Sequence, residues 1–169
     1  MKNFNNFINE NNKDIDCNPE IIGNDIELDM DNLKKCMKSS KFDIEERYGD
    51  NNNPKNGYTL LFYAANWTHI DLLKLLIDNG ADVNTEFNDK NAFVQLLTKI
   101  TFTTKTTEIL DMLIENGIDL SFLWGEVDVF DIMRDGNEGM RLYAKEIPKK
   151  FPEQYKEYLV NKDLKKFNI

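Results

Sequence analysis

The fold of this chain is decided by a nine-residue stretch that occurs twice. Residues 76–84 read Leu-Ile-Asp-Asn-Gly-Ala-Asp-Val-Asn, and residues 113–121 read Leu-Ile-Glu-Asn-Gly-Ile-Asp-Leu-Ser, 37 positions later. A weaker copy spans residues 37–45, 39 positions before the first. Self-similarity at a spacing of roughly 20 to 50 residues indicates a repeat architecture, in which each unit buries its apolar face against its neighbours.

The residues around these copies predict pairs of helices. In residues 70–77 the apolar side chains cover more than one stripe, as a helix packed between two neighbours requires. Gly80 and Gly117 follow, and glycine suits the left-handed residue that ends a helix. Thr59 can cap the first helix of such a pair with its hydroxyl.

Residues 54–84 resemble an ankyrin repeat. Thr-Leu-Leu-Phe-Tyr-Ala at 59–64 stands where that family has Thr-Pro-Leu-His-x-Ala, and Gly-Ala-Asp-Val-Asn at 80–84 matches the family's repeat end. The family period is about 33 residues, so the longer offsets require insertions. We place four extra residues between Leu97 and Lys105 and six around residues 48–53. The chain is identified as a small, divergent member of the ankyrin-repeat family.

The resemblance implies an all-α fold: an ankyrin-repeat solenoid of about 3–4 helix-turn-helix repeats, with finger loops and non-repeat terminal capping helices. We expect Pro148 to end the helix of the fourth repeat, and Trp124 to lie in the core or at the base of a finger. The predicted single domain, 1–169, divides into an N-terminal cap with a partly disordered start (1–27), a degraded repeat 1 (28–53), repeat 2 (54–88), repeat 3 (89–121), a degraded repeat 4 (122–147) and C-terminal capping helices (148–169).

Residues for catalysis or metal binding are scarce. His69 is the one histidine, so a nucleophilic triad would have a single candidate base, and we assign it a structural role. Cys17 and Cys36 lack zinc spacing. Because no export signal is visible, we expect reduced thiols and a cytoplasmic location. The sequence therefore predicts no catalytic site, no metal and no cofactor.

The net charge of −9 argues against a nucleic-acid partner, whose phosphates need a Lys/Arg face. The longest apolar run, residues 60–65, is far shorter than the ~20 residues of a membrane helix, so no membrane partner is expected either. The acidity favours fast capture of a basic protein, and simple solubility explains it equally well. We expect a protein partner of basic character and a monomer when unbound.

The resemblance also implies where a partner binds, because finger loops and first helices line a concave face in this family. Tyr58 and Trp67 are the strongest candidates, since rigid aromatic side chains at a solvent edge are typical anchors. An equally supported alternative is that Trp67 packs on the insertion at 98–104. The whole predicted face comprises Lys55, Asn56, Tyr58, Asn66, Trp67, Asn79, Asn88, Asp89 and Asn91.

Three functions remain open at this point. We favour a non-catalytic inhibitor or immunity-type protein that neutralises a specific protein such as a toxin. The second hypothesis is an adaptor or effector that recruits a host protein. The third is an enzyme whose site is invisible in the sequence, which would need a convergent polar cluster that the residues do not show.

Overall fold

The computed structural model describes residues 21–22, 25–26, 30–38, 42–48, 57–99 and 101–166. The prediction of a mainly helical chain is confirmed. The described residues contain eight helices: α1 (Met30–Cys36), α2 (Leu60–Asn66), α3 (Ile70–Asp78), α4 (Ala92–Leu97), α5 (Thr104–Glu115), α6 (Val129–Asp135), α7 (Glu138–Lys150) and α8 (Pro152–Lys166).

Short antiparallel hairpins alternate with these helices. Strands β1 (Ile21–Ile22) and β2 (Asp25–Ile26) pair near the beginning of the described chain. Three later hairpins each run directly into a helix, and we call them fingers. The first finger is β3 (Arg47–Tyr48) with β4 (Tyr58–Thr59), the second is β5 (Glu86–Phe87) with β6 (Lys90–Asn91), and the third is β7 (Leu123–Trp124) with β8 (Val127–Asp128).

The last residue of each finger caps the helix that follows. Thr59 Oγ1 accepts a hydrogen bond from the Phe62 amide at 3.2 Å, and Asn91 Oδ1 accepts one from the Val94 amide at 2.9 Å. Asp128 Oδ1 accepts from the amides of Phe130 and Asp131, both at 2.9 Å. All three capping residues are buried. Each finger is thereby fixed at its base to α2, α4 or α6.

The helices pack as successive pairs. Helix α2 contacts α3 and α4, α4 contacts α5 and α6, and α6 contacts α7. The largest fully buried side chains include Leu61 of α2, Phe93 of α4, Leu110 of α5 and Met133 of α6. Because α4 is covered by α2 on one side and by α6 on the other, one continuous core runs through these pairs.

The turn inside the α4–α5 pair is longer than the turn inside α2–α3. Helix α2 ends at Asn66 and α3 begins at Ile70, whereas α4 ends at Leu97 and α5 begins only at Thr104. Thr103 caps α5 in a capping box with Thr106. The predicted four-residue insertion lies in this loop.

A second set of contacts joins the loops that follow α1, α3 and α5. Each contact involves the ninth residue of a sequence copy. Glu45 Oε1 accepts from the Asp82 amide at 2.7 Å. Asn84 Oδ1 accepts from the Asp119 amide at 2.7 Å, and Asn84 Nδ2 donates to the Gly117 carbonyl at 3.0 Å. We call these contacts the loop ladder. Lys165 of α8 extends it, because its Nζ donates to the Ser121 carbonyl at 2.6 Å.

One expectation about the C-terminal part is wrong. Helix α7 continues through Pro148 to Lys150, so the predicted boundary between 147 and 148 falls inside a helix. Proline there removes one helical hydrogen bond, and the buried side chains of Ile147 and Phe151 hold this turn in place. The segment predicted to form C-terminal capping helices contains α8, separated from α7 by Phe151.

The cysteine expectation is also wrong for Cys36. This residue lies at the end of α1, is buried, and is disulfide-bonded rather than a reduced thiol.

Candidate functional site

Tyr58, one of the two predicted anchors, lies between the first and second fingers. Its ring centroid is 5.5 Å from that of Phe87 and 6.0 Å from that of Tyr63. The side chain is half-buried, and burial, with a smaller contribution from Tyr63, raises the pKa of Tyr58. Tyr58 therefore joins two fingers and leaves part of its surface open to solvent.

Trp67, the other predicted anchor, follows directly after α2. Its side chain is 42% exposed, and its ring centroid lies 6.3 Å from that of Tyr63. Lys99, from the insertion loop, places Nζ 5.6 Å from the Trp67 ring centroid. Both alternatives for this residue hold in part, because Trp67 is exposed and also contacts the insertion.

Trp124 lies on β7 of the third finger and is 40% exposed, so its expected place in the core or at the finger base is wrong. Leu123 and Val127 of the same finger are exposed as well. Lys90 Nζ lies 4.4 Å from the Trp124 ring centroid and donates to Thr98 Oγ1 at 3.1 Å. The second and third fingers thus meet through a cation–π contact.

These contacts form one continuous surface feature. Thr98 and Lys99 are neighbours in the loop after α4, so the Lys90–Thr98 bond connects the Trp124 contact to the Trp67 contact. We call this feature the aromatic–lysine strip. It consists of Trp67, Lys99, Thr98, Lys90 and Trp124.

The remaining predicted residues do not all lie on this face. Asn66 Oδ1 accepts from Gln95 Nε2 at 2.9 Å, so Asn66 joins α2 to α4 beside the strip. Asn79 is exposed at the end of α3, where its Nδ2 donates to the Leu75 carbonyl at 2.8 Å. Lys55 and Asn56 lie outside the described residues.

Three residues of the second finger were predicted to lie on the binding face, and the structure places two of them at the surface and one in the core. Asn88 and Asp89 form its exposed tip with φ values of 50° and 57°, the left-handed conformation of a two-residue hairpin turn. Asn91 is fully buried as the cap of α4, so its predicted place on the binding face is wrong. Among the described residues, its amide Nδ2 has no hydrogen-bond partner.

Sequence reasoning missed Lys90, Lys99 and Trp124. The sequence did contain a signal that could have located Lys90 and Trp124. Asn91 and Asp128 occupy the same helix-capping position in their units as Thr59 does in its own. Aligning the three caps would have moved Lys90 and Trp124 onto the fingers.

The finger rims carry charges of both signs. Glu86 and Asp89 are exposed on the second finger, and Glu126 is exposed on the third. Arg47 of the first finger donates to the Glu86 carbonyl at 2.7 Å and to the Gly57 carbonyl at 3.0 Å. This guanidinium therefore ties the first finger to the second.

The groups considered for other kinds of site have ordinary structural contacts. The His69 ring stacks on Tyr63, with centroids 5.9 Å apart and an interplanar angle of 9°. In the part of the chain that the structure describes, no group of three or more His, Cys, Asp or Glu side chains could hold a metal ion. Nor does any helix in that part combine the length and apolar character needed to cross a membrane.

The described chain thus consists of helix pairs preceded by fingers, with the exposed rings of Trp67 and Trp124 connected through the strip. Residues 56–85 match the family model of the ankyrin repeat. The chain is 30% identical over 95 residues to a putative ankyrin repeat protein of Acanthamoeba polyphaga mimivirus. That match covers 56% of this chain and 23% of the viral protein, so the chain spans about a quarter of its relative. No solved structure matches.

The chain therefore contains an ankyrin repeat at residues 56–85, where its sequence predicts one, and it is similar over 95 residues to an ankyrin repeat protein. Ankyrin repeats are protein–protein interaction modules, and the family is generally non-enzymatic.

Proposed function

We propose that this chain is a non-catalytic module that grips a protein partner with the aromatic–lysine strip and the fingers beside it. One observation carries the proposal: two tryptophans, 42% and 40% exposed, lie on one connected face. Exposed, rigid aromatic side chains supply large contact areas at low entropic cost and dominate the binding energy of many interfaces.

The proposed architecture behind this face is a solenoid of about 3–4 repeats, with α8 as a terminal cap. The pairs α2–α3, α4–α5 and α6–α7 support it, since each begins at a capped finger. Helix α8 packs on the last pair through Tyr158, whose ring centroid lies 4.4 Å from that of Phe130.

The specific role that we propose is inhibition, in which the chain blocks a protein such as a toxin by occupying its surface. The net charge of −9 supports this role. Charge of this sign steers a partner that is basic overall toward the chain. We further propose that the chain acts in the cytoplasm and is monomeric until it binds. Recruitment of a host protein is the alternative role.

Affinity purification from the organism that encodes the chain tests the binding face. The wild-type chain is compared with Trp67→Ala/Trp124→Ala and with the control Leu142→Ala/Val160→Ala, which removes two exposed apolar side chains of α7 and α8. We expect a protein that the wild type and the control retain and the tryptophan variant loses, because each anchor contributes on the order of 2 kcal/mol. If no protein distinguishes the two variants, the strip is not the binding face.

The activity of the captured protein then separates the two roles. Loss of its activity on addition of one equivalent of the chain supports inhibition. Unchanged activity in the saturated complex contradicts inhibition and supports recruitment.

A further inference from the structure

The two lysines of the strip differ from the other lysines whose burial the structure describes. Lys90 and Lys99 are half-buried, whereas all the others are exposed. Several exposed lysines are paired: Lys149 with Glu146 at 2.8 Å, and Lys150 with Asp111 at 2.9 Å. Within residues 57–99 and 101–166, neither Lys90 nor Lys99 forms an ion pair. Among the described lysines, the two least exposed side chains therefore have no carboxylate partner within the described residues.

This arrangement is costly for an unbound protein. Partial burial lowers the pKa of Lys99, because removing water disfavours the charged form. The cation–π contacts with Trp67 and Trp124 attract the two ammonium groups but leave their positive charge uncompensated. A carboxylate placed beside either group would supply the missing counter-charge in a partly desolvated setting, where such a pair is stronger than at an open surface.

The strip also has the shape of a track rather than a pocket. It runs from the end of α2, across the end of α4, to the third finger, and so touches three successive helix pairs. Along this path the two ammonium groups lie between the two rings. An extended peptide with carboxylates flanked by apolar side chains matches that order.

From these observations we propose that the strip binds an extended acidic segment of the protein partner. Carboxylates of the segment pair with Lys90 and Lys99, and its apolar side chains cover Trp67 and Trp124. The proposal rests on the proposed binding function and adds the chemistry of the contact. It is compatible with a partner that is basic overall, because net charge governs long-range approach and local groups govern the contact.

A display selection with random short peptides tests this inference. The full chain and the variant Lys90→Gln/Lys99→Gln are used as separate targets, and Lys74→Gln on the exposed face of α3 is the matched control. We expect peptides rich in Asp and Glu from the wild type and the control, and loss of that enrichment with the double variant. For a selected peptide, calorimetry should show binding about five- to tenfold weaker to the double variant, with a loss that shrinks at high salt.

Enrichment of Lys and Arg, or acidic enrichment that the double variant retains, overturns the inference. A selection without any peptide that depends on the two lysines overturns it too. Retesting the selected peptides on Trp67→Ala/Trp124→Ala separates the two proposals. Peptides that need the tryptophans but not the lysines leave the proposed function standing, whereas peptides that need neither contradict both.

Discussion

The base and the outer surface of each finger are one residue apart and have opposite roles. On β8, Asp128 is 5% exposed and caps α6, whereas its neighbour Val127 is 41% exposed. On β6, Asn91 is buried and caps α4, whereas Lys90 lies on the strip. Successive side chains of a strand point to opposite faces, so the strands that enter a helix, β4, β6 and β8, each bury their second residue and leave the first more exposed. We therefore expect the second residue of these strands to govern stability, and the first residue of β6, Lys90, to serve the proposed binding face.

Removing the Asp128 side chain should have the largest effect on stability. Its carboxylate accepts from two backbone amides, from Tyr158 Oη at 3.2 Å and from Lys162 Nζ at 2.6 Å. We expect Asp128→Ala to lower the free energy of unfolding by roughly 3 kcal/mol, since the cap and a buried acceptor are both lost. Urea unfolding measures it. The matched variant Asp128→Asn keeps the cap and should lose only about 1 kcal/mol; equal losses would contradict the capping role.

Adding one methyl group at Gly57, just before β4 of the first finger, should have the next largest effect. A Cβ on Gly57 would lie 2.6 Å from the Tyr48 carbonyl oxygen and 2.8 Å from the Tyr48 amide nitrogen, both backbone atoms. We expect Gly57→Ala to cost roughly 2 kcal/mol, because the two strands must separate. Gly80→Ala is the comparison, since Gly80 has open space but a φ of 88°, and it should cost about 1 kcal/mol. Thermal unfolding of both variants measures these costs, and a Gly57→Ala variant as stable as the wild type would contradict the steric role of this contact.

The pH dependence of the unfolding free energy should reveal how much the charged carboxylate of Asp128, at the base of the third finger, contributes to stability. Burial alone raises the pKa of Asp128, but hydrogen bonds from Lys162 and from the Asp131 amide outweigh it and lower the pKa overall. A lowered pKa in the folded state stabilises the protein above the unfolded-state pKa of about 4, and this contribution is lost as the pH falls through the folded-state pKa. The difference in unfolding free energy between the wild type and Asp128→Asn should therefore shrink below about pH 4. A constant difference down to the lowest measurable pH would show that the charge of Asp128 contributes nothing.

The smallest effect on stability is expected at the outer surface. Trp67→Ala/Trp124→Ala removes surface side chains that lie outside the core and are 42% and 40% exposed, so each substitution should cost about 0.5 kcal/mol or less. Unfolding midpoints in urea measure this cost. Loss of more than about 2 kcal/mol for the pair would place these rings among the packing residues and would remove the distinction between finger base and outer surface.

The sequence predicted the family and the helix pairs because their signals are local and repeated. Residues 59–64 specify the start of a helix, and residues 80–84 specify the end of the next one. The offset of 37 residues between the copies located the insertion before α5. The site was harder to predict, because the side of a finger on which a side chain lies changes with a shift of one residue along the strand. An error of one residue assigned Asn91 to the surface and left Lys90 out. The strip itself joins residues far apart in the chain, and no local pattern brings Lys90 onto Trp124.

The proline error has a different physical origin. A proline usually ends a helix, but α7 ends at Lys150, and the buried side chains of Ile147 and Phe151 hold the junction with α8. Tertiary packing outweighed the local preference there.

The loop ladder has a consequence for hydrogen exchange. Asp82 and Asp119 lie in exposed loops, where amide protons ordinarily exchange within the dead time of an experiment. Each amide instead donates at 2.7 Å to a side chain of the preceding unit, Glu45 and Asn84 respectively. Exchange of these two protons requires the accepting side chain of the neighbouring unit to move away. Their protection factors should therefore report how firmly adjacent units are held together at the loop ladder.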